Sequence, residues 1–439
     1  MEAAVEQMVY PKYELYKDSG ENWLGEVPNH WDVKKLKHIF YEKKFKANPT
    51  LNCGSISFGK VVTKDDEKIP LSTKASYQEL LCGEFLINPL NLNYDLISLR
   101  IALSDLDVVV SPGYIIIKNF LEIDKGYFKY LLHRYDVAYM KLLGSGVRQT
   151  ISFNHIADSL LAVPPKEEQN KIAFFLDKKT VQIDQAIARK ERQIELLKDH
   201  RQILIHKALT RGLDPNLPMK DSGVEWIGEI PMHWGFCKLK LLVEVKDGTH
   251  DTPAYVEAGE NTFPLATTKH VTSGTLRLEE ASHISLVDYI EISRRSNVAS
   301  GDIIMPMIGT IGSPLIVSTK EKFAIKNLAL FKTSSSHKIE AHYLLYLLQS
   351  DIIKNQFDKE SNGGVLGFMS LGQLRNLFIP LISLKEQGDI VAEIKSISAK
   401  INGAILLKEK EIDKLKEYRA SLINAAVTGK IKVTLEEVA

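Results

Sequence analysis

Apolar residues recur at three- and four-residue steps through one long charged stretch, from about residue 166 to residue 212. With Ile183 placed at position a of a heptad, the a positions are Ile183, Lys190, Leu197 and Leu204, and the d positions are Ile187, Ile194, Arg201 and Ala208. The pattern returns 218 positions later, with Ile401, Lys408, Leu415 and Leu422 at a, and Ile405, Ile412, Arg419 and Ala426 at d. Even the polar interruptions repeat, as Lys and Arg at equivalent places. A seam of this length predicts a two-helix coiled coil, where polar seam residues cost stability but fix register. The other reading of Lys190, Arg201 and their copies is that they face solvent or a partner subunit.

A second repeat is a tryptophan box. Residues 17–31 read KDSGENWLGEVPNHW, and residues 220–234 read KDSGVEWIGEIPMHW. Trp23, Gly25, Pro28, His30 and Trp31 correspond to Trp226, Gly228, Pro231, His233 and Trp234. Fixed Gly and Pro set a turn geometry, and paired tryptophans bury a large apolar area. Each box is therefore expected to wedge a globular domain against a helix end. His30 and His233 have no carboxylate partner identifiable in the sequence and read as packed side chains.

Between these repeats lie short apolar runs bounded by Gly, Pro, Asn and Asp: SISFGKVV, GEFLINPL, DVVVSPGYIIIK and LLAVP in the first half. Such runs favour strands. Residues 124–143 predict a helix, with Phe128, Leu131, Leu132 and Tyr135 on one face. The second half has the same grammar. GDIIMPMIGTIG at Gly301 answers GEFLINPLNLN at Gly83, and HYLLYLLQSDIIKNQF answers GYFKYLLHRYDVAYMKLL. The expected divisions are 1–31 (first segment and box), 32–163 (globular domain), 164–212 (helix), 213–234 (linker and box), 235–381 (globular domain), 382–430 (helix) and 431–439 (tail). A repeat of this kind decides the architecture. The fold class is mixed α/β: two globular domains separated by a long antiparallel two-helix coiled coil, as a pseudo-twofold tandem repeat. Helix direction follows from length. A helix of about 45 residues is roughly 65 Å long, and a domain of about 145 residues is only about 40 Å across. The second helix must then start near the end of the first and run back, with the domains at opposite ends.

Composition narrows the class. The chain has 439 residues, 44% hydrophobic and 25% charged, which is ordinary for a globular protein. No stretch approaches the roughly 18–20 apolar residues of a membrane span, and the first residues do not read as a secretory signal. Three cysteines without a CxxC pair suggest a reducing, cytoplasmic setting. A net charge of +1 means that any nucleic-acid role must rest on local patches. There is no GxxxxGK[ST] phosphate loop and no [DN]PP[FY] methyl-transfer motif; Asn88-Pro89-Leu90 is a partial echo. The chain is thus not expected to be a catalyst.

Residue type and loop placement single out Lys43, Lys44, Lys46 and Lys60 in the first domain, with Arg148 and Gln149 in the loop GSGVRQT. Arg and Gln suit bidentate reading of guanine and adenine edges. In the second domain the same criteria select Lys246, Thr249 and His250 around DGTHDTP, then Thr267, Lys269, His270 and Arg277. For each of them an ordinary surface residue is the alternative.

The paired SG..W.GE.P.HW boxes, P..EQ..I at residues 165–172, its counterpart Lys385-Glu386-Gln387, and KDGTHDTP at Lys246 occur in an order that resembles the specificity subunit of type I restriction–modification systems. The resemblance covers nearly the whole chain. It implies that residues 32–163 and 235–381 each read one half of a bipartite double-stranded DNA site. It also implies that residues 166–212 and 385–430 form a spacer that docks two methyltransferase subunits, with translocase–nuclease subunits completing the enzyme. S-adenosylmethionine, ATP and Mg²⁺ would then belong to the partners and not to this chain. The assembled complex would be an adenine-specific methyltransferase and ATP-dependent endonuclease. The first domain departs from the pattern in lacking a DGTH-type loop. Two other classes stay open: a protein-interaction scaffold that does not touch DNA, and a self-contained nuclease.

Overall fold

A computed structural model describes residues 10–90, 99–140, 150–224, 227–272, 274–307, 313–360 and 369–434. Arg148, Gln149 and Trp226 lie outside them. The chain divides into two compact units, residues 1–192 with 408–439, and residues 193–407.

Two helices dominate: Lys166–Arg211, of 46 residues, and Leu384–Val427, of 44. Their interiors contain no proline, and each stops at a glycine, Gly212 (φ 70°) and Gly429 (φ 72°). Only a residue without Cβ takes that left-handed conformation freely. Pairing is antiparallel within each unit. In the first unit, Asp184 lies 3.6 Å from Arg419 and Lys190 lies 2.5 Å from Glu411. In the second, Arg201 donates to Asn402 at 2.7 Å. Three of the polar seam residues, Lys190, Arg201 and Arg419, therefore pair across the helices and do not simply face solvent, while Lys408 binds Glu411 of its own helix at 3.1 Å. Ile183, Ile194, Ile401, Ile405, Ile412 and Leu422 are buried, and Ile187, Leu197, Leu204 and Leu415 are half-buried.

In the first unit a four-stranded antiparallel sheet has the order Phe40–Glu42, Ile115–Asn119, Phe85–Ile87, Ile101–Leu103. The strand Asp32–Lys35 pairs with Leu160–Val163, so the globular part enters and leaves through a two-stranded stem. One core joins the box, the sheet, the helix Lys125–Ala138 and both long helices, with Trp31, Phe40, Phe85, Phe128, Phe175 and Leu422 almost wholly buried. The shorter helix stops before residue 143 because Tyr139 leaves helical geometry (φ −127°, ψ −58°).

The second unit repeats this plan. Its sheet order is Val245–Asp247, Leu328–Phe331, Ile303–Pro306, Leu315–Ile316, and its stem pairs Gly235–Lys238 with Phe378–Leu381. The runs at Gly83 and Gly301 fill the same third place in their sheets, each after a glycine of positive φ (82° and 90°). The following acids, Glu84 and Asp302, are both buried and both bind a lysine of the sheet's second strand or its end, Lys118 and Lys332. A second sheet is added here, in the order Tyr255–Val256, His283–Ser285, Thr262–Ala266, Ala324–Ile325, the last pair being parallel. HYLLYLLQSDIIKNQF forms two helices, Ala341–Gln349 and Asp351–Glu360, broken where Ser350 is extended (φ −84°, ψ 159°). None of the described helices is long and apolar enough to cross a membrane.

Candidate nucleic-acid interface

The two boxes are gripped by the helix starts. Glu168 Oε2 accepts from Trp31 Nε1 at 3.0 Å and from the Tyr13 hydroxyl at 2.9 Å, while Oε1 lies 2.6 Å from His30 Nε2. In the second unit Glu386 accepts from Trp234 Nε1 at 2.8 Å and lies 3.2 Å from His233 Nε2. Both histidines thus have a carboxylate partner that the sequence did not reveal, because it stands 138 and 153 residues away. Burial alone would raise the Glu168 carboxyl, but hydrogen bonds from Trp31, His30 and Tyr13 outweigh it and hold it below the usual range. The neighbouring glutamines hold the globular parts. Gln169 accepts from the Asp124 backbone N–H (2.9 Å) and donates to the Pro164 carbonyl (2.9 Å). Gln387 accepts from the Glu340 N–H (2.7 Å) and donates to the Ile382 and Lys338 carbonyls. Asp124 and Glu340 cap corresponding helices, so each EQ pair fixes a box with one residue and a globular part with the next.

In the second unit three of the predicted loop residues, Thr249, His250 and Thr267, stand along one spine, the end of the strand Ala324–Ile325. The Thr249 N–H donates to the Ile325 carbonyl and the Asn327 N–H to the Thr249 carbonyl. The Lys326 N–H reaches back to the Ala266 carbonyl, beside Thr267. Gly248 is required by contact, since a Cβ there would stand 2.1 Å from the Ile325 carbonyl oxygen. Asp247, almost fully buried, orients two half-exposed groups: Arg295 donates from Nε (2.9 Å) and Nη2 (2.6 Å), and His250 Nε2 lies 3.0 Å away. His250 Nδ1 lies 3.0 Å from Asn327 Oδ1, which places an ordered polar rim at the surface. Thr267 and His270 form a capping box around the short turn Thr268–His270, so part of their capacity serves the backbone. Lys269 is exposed, Arg277 pairs with Glu280, and Lys246 pairs with Glu244. Arg295, Lys326 and Asn327 were missed. The dibasic end of Leu286–Arg295 was a visible signal, but nothing local tied it to Asp247.

In the first unit Lys43 is turned inward. Its ammonium binds Glu84 (2.8 Å) and the Glu79 carbonyl (2.9 Å), with the side chain 12% exposed. It belongs to the buried turn of Glu84 and is not available to a phosphate, which corrects the expectation for it. Lys46 leans on Glu79 at 3.2 Å but stays 67% exposed. Lys44 and Lys60 are exposed.

Residues 231–417 match the family Type I restriction modification DNA specificity domain. The MjaX specificity subunit of Methanocaldococcus jannaschii, a putative type I restriction enzyme component, is 25% identical over 96% of this chain and 98% of its own. The MjaVIII specificity subunit of the same organism is 29% identical, with 62% of each chain aligned, so this chain spans less than two thirds of that relative. Two solved chains share the fold. One comes from work on complex assembly and conformational transition of the type I system (TM-score 0.65, 16% identity, covering 91% of this chain and 98% of that one). The other is a specificity subunit from Thermoanaerobacter tengcongensis (TM-score 0.53, 17% identity, covering 92% and 98%). The repeated boxes, the paired helices and these matches agree: residues 231–417 match a type I restriction modification DNA specificity domain, and the chain as a whole is similar to the specificity subunits of type I restriction–modification systems.

Proposed function

We infer that this chain reads DNA for a multisubunit enzyme: residues 32–163 recognise one half of an asymmetric bipartite site and residues 235–381 the other. The long helices set the gap and dock the methyltransferase subunits. The observation that carries this is one architecture built twice with unlike loops. The second unit presents the rim of Arg295, His250 and Asn327 held by Asp247, and the first has no such cluster among its described residues. Scaffold equality with loop inequality is what two readers of different base sequences require. Lys and Arg would supply salt-dependent phosphate contacts, and the ordered rim would supply base-edge contacts in the major groove. The docking role is supported by large apolar side chains left in water on the helices: Phe174 and Val181 in the first unit, Leu196, Ile203, Leu406 and Leu407 in the second, each 50–63% exposed. Methyl transfer and cleavage, with S-adenosylmethionine, ATP and Mg²⁺, fall to the partner subunits in the cytoplasm.

The test is duplex binding by the chain assembled with its methyltransferase, titrated across salt. Affinity should fall linearly on a logarithmic scale, with a slope near −0.9 per phosphate neutralised. A scaffold that ignores DNA gives no salt-linked binding. Mapping methylated adenines in the host genome should return a two-part motif with an unread gap.

A further inference from the structure

The hairpin of Gly54–Ser57 and Lys60–Thr63 has Ser57 opposite Lys60, so it closes on two residues, Phe58 and Gly59. Both have positive φ, 47° and 71°. Two-residue turns of this type favour Asn, Asp or Gly at the first position, and a bulky aromatic there is strained. Strain of this kind is kept when a surrounding purpose holds it. Packing is not that purpose. Phe58 is 81% exposed and belongs to none of the apolar clusters or ring contacts among the described residues.

The tip is nevertheless firmly seated. A Cβ on Gly59 would stand 2.8 Å from Leu99 Cδ1 and 3.3 Å from His133 Nε2, and one on Gly54 would stand 2.7 Å from Val108. Val61, one residue past the turn's end, lies in a core with Leu80 and Val108. Lys64 and Cys53 join across the base of the hairpin, the Lys64 N–H donating to the Cys53 carbonyl at 2.8 Å. Lys60 and Lys64 are exposed and make no ion pair among the described residues; the nearby acids Asp65 and Asp66 are taken by Lys68 and Lys74. The result is a seated hairpin with an apolar point at its tip, the exposed Lys60 beside that point and the exposed Lys64 at the base.

We propose that Phe58 is a stacking wedge: when the first unit sits on its half-site, the ring enters the base stack of the duplex while Lys60 holds an adjacent phosphate. This rests on the DNA-reading role inferred above. An apolar wedge partly unstacks one base step and kinks the duplex. Pyrimidine–purine steps open most easily, so this half-site gains a preference for such a step without a base-edge hydrogen bond. A protein partner is the alternative occupant, and it is an outcome of the test.

The experiment uses the chain assembled with its methyltransferase and duplexes carrying the mapped methylation motif, with 2-aminopurine placed in turn along both halves. The wild type should raise fluorescence several-fold at one step, in the first unit's half-site only. A rise at the methylated adenine, from base extrusion, should occur in every protein and serves as the control. The variant is Phe58→Asn, which suits the turn and should raise the melting temperature, so loss of function cannot be loss of fold. It should lose the half-site signal and about tenfold in affinity, in keeping with the stacking of one base on an aromatic ring. Unchanged signal and affinity in this variant, with salt-linked binding intact, overturns the wedge alone and leaves Phe58 to a protein partner. No salt-linked binding by the wild type overturns the DNA-reading role itself.

Discussion

Exchanging residues 235–381 for the corresponding part of another specificity subunit should change one half of the methylated motif completely and leave the other half intact. The stem explains why. Gly235 pairs with Leu381 and Lys238 with Phe378, so the exchanged segment enters and leaves on adjacent strands. Its core is closed within the second unit, around Trp234, Tyr343, Phe331 and Ile379. None of the side chains that pack the first unit's core is touched. Sequencing of methylated adenines reads the result directly, and a change in both halves would count against independent readers.

Asp136→Ala should cost the first unit roughly 3–5 kcal/mol, because it strips the partner from a buried charge. Asp136 is fully buried, and Arg100 beside it is 7% exposed. The carboxylate accepts from the Arg100 backbone N–H at 2.6 Å and from its Nε at 2.9 Å, while Nη1 and Nη2 have no partner. With Asp136 gone the guanidinium is stranded away from water. Domains are commonly stable by about 5–15 kcal/mol, so the loss is a large share of the whole. Denaturant unfolding of the variant measures it. Replacing both residues by apolar ones of similar volume should recover most of the loss, and a cost below about 1 kcal/mol for the single change would show that the pair does not hold the fold.

What could be read from the residues was what repeats or is periodic. The heptads of Ile183 and Ile401, the two boxes and the paired runs at Gly83 and Gly301 announce themselves by recurrence, and each takes its expected place. Side-chain partnerships across long sequence distances were not legible. Glu168 meets Trp31 and His30 only because the chain folds a helix start onto the box, and Asp247 meets Arg295 across 48 residues. Lys43 shows the opposite failure. A lysine in a basic cluster reads as a phosphate contact, yet the buried Glu84 beneath it claims its charge. The strain at Phe58 was equally hidden, since Phe-Gly in an apolar run gives no hint of a left-handed turn.

Among the described residues the glutamines of the two EQ pairs hydrogen-bond to main-chain atoms: the Asp124 N–H and Pro164 carbonyl in one case, the Glu340 N–H and two carbonyls in the other. Every polypeptide offers those atoms, whatever its side chains. These bonds therefore ask nothing of the side chains at the joint; that demand falls on the apolar core beneath it, where Tyr127 and Phe128 lie in one cluster with Ile172 and Phe175 of the long helix.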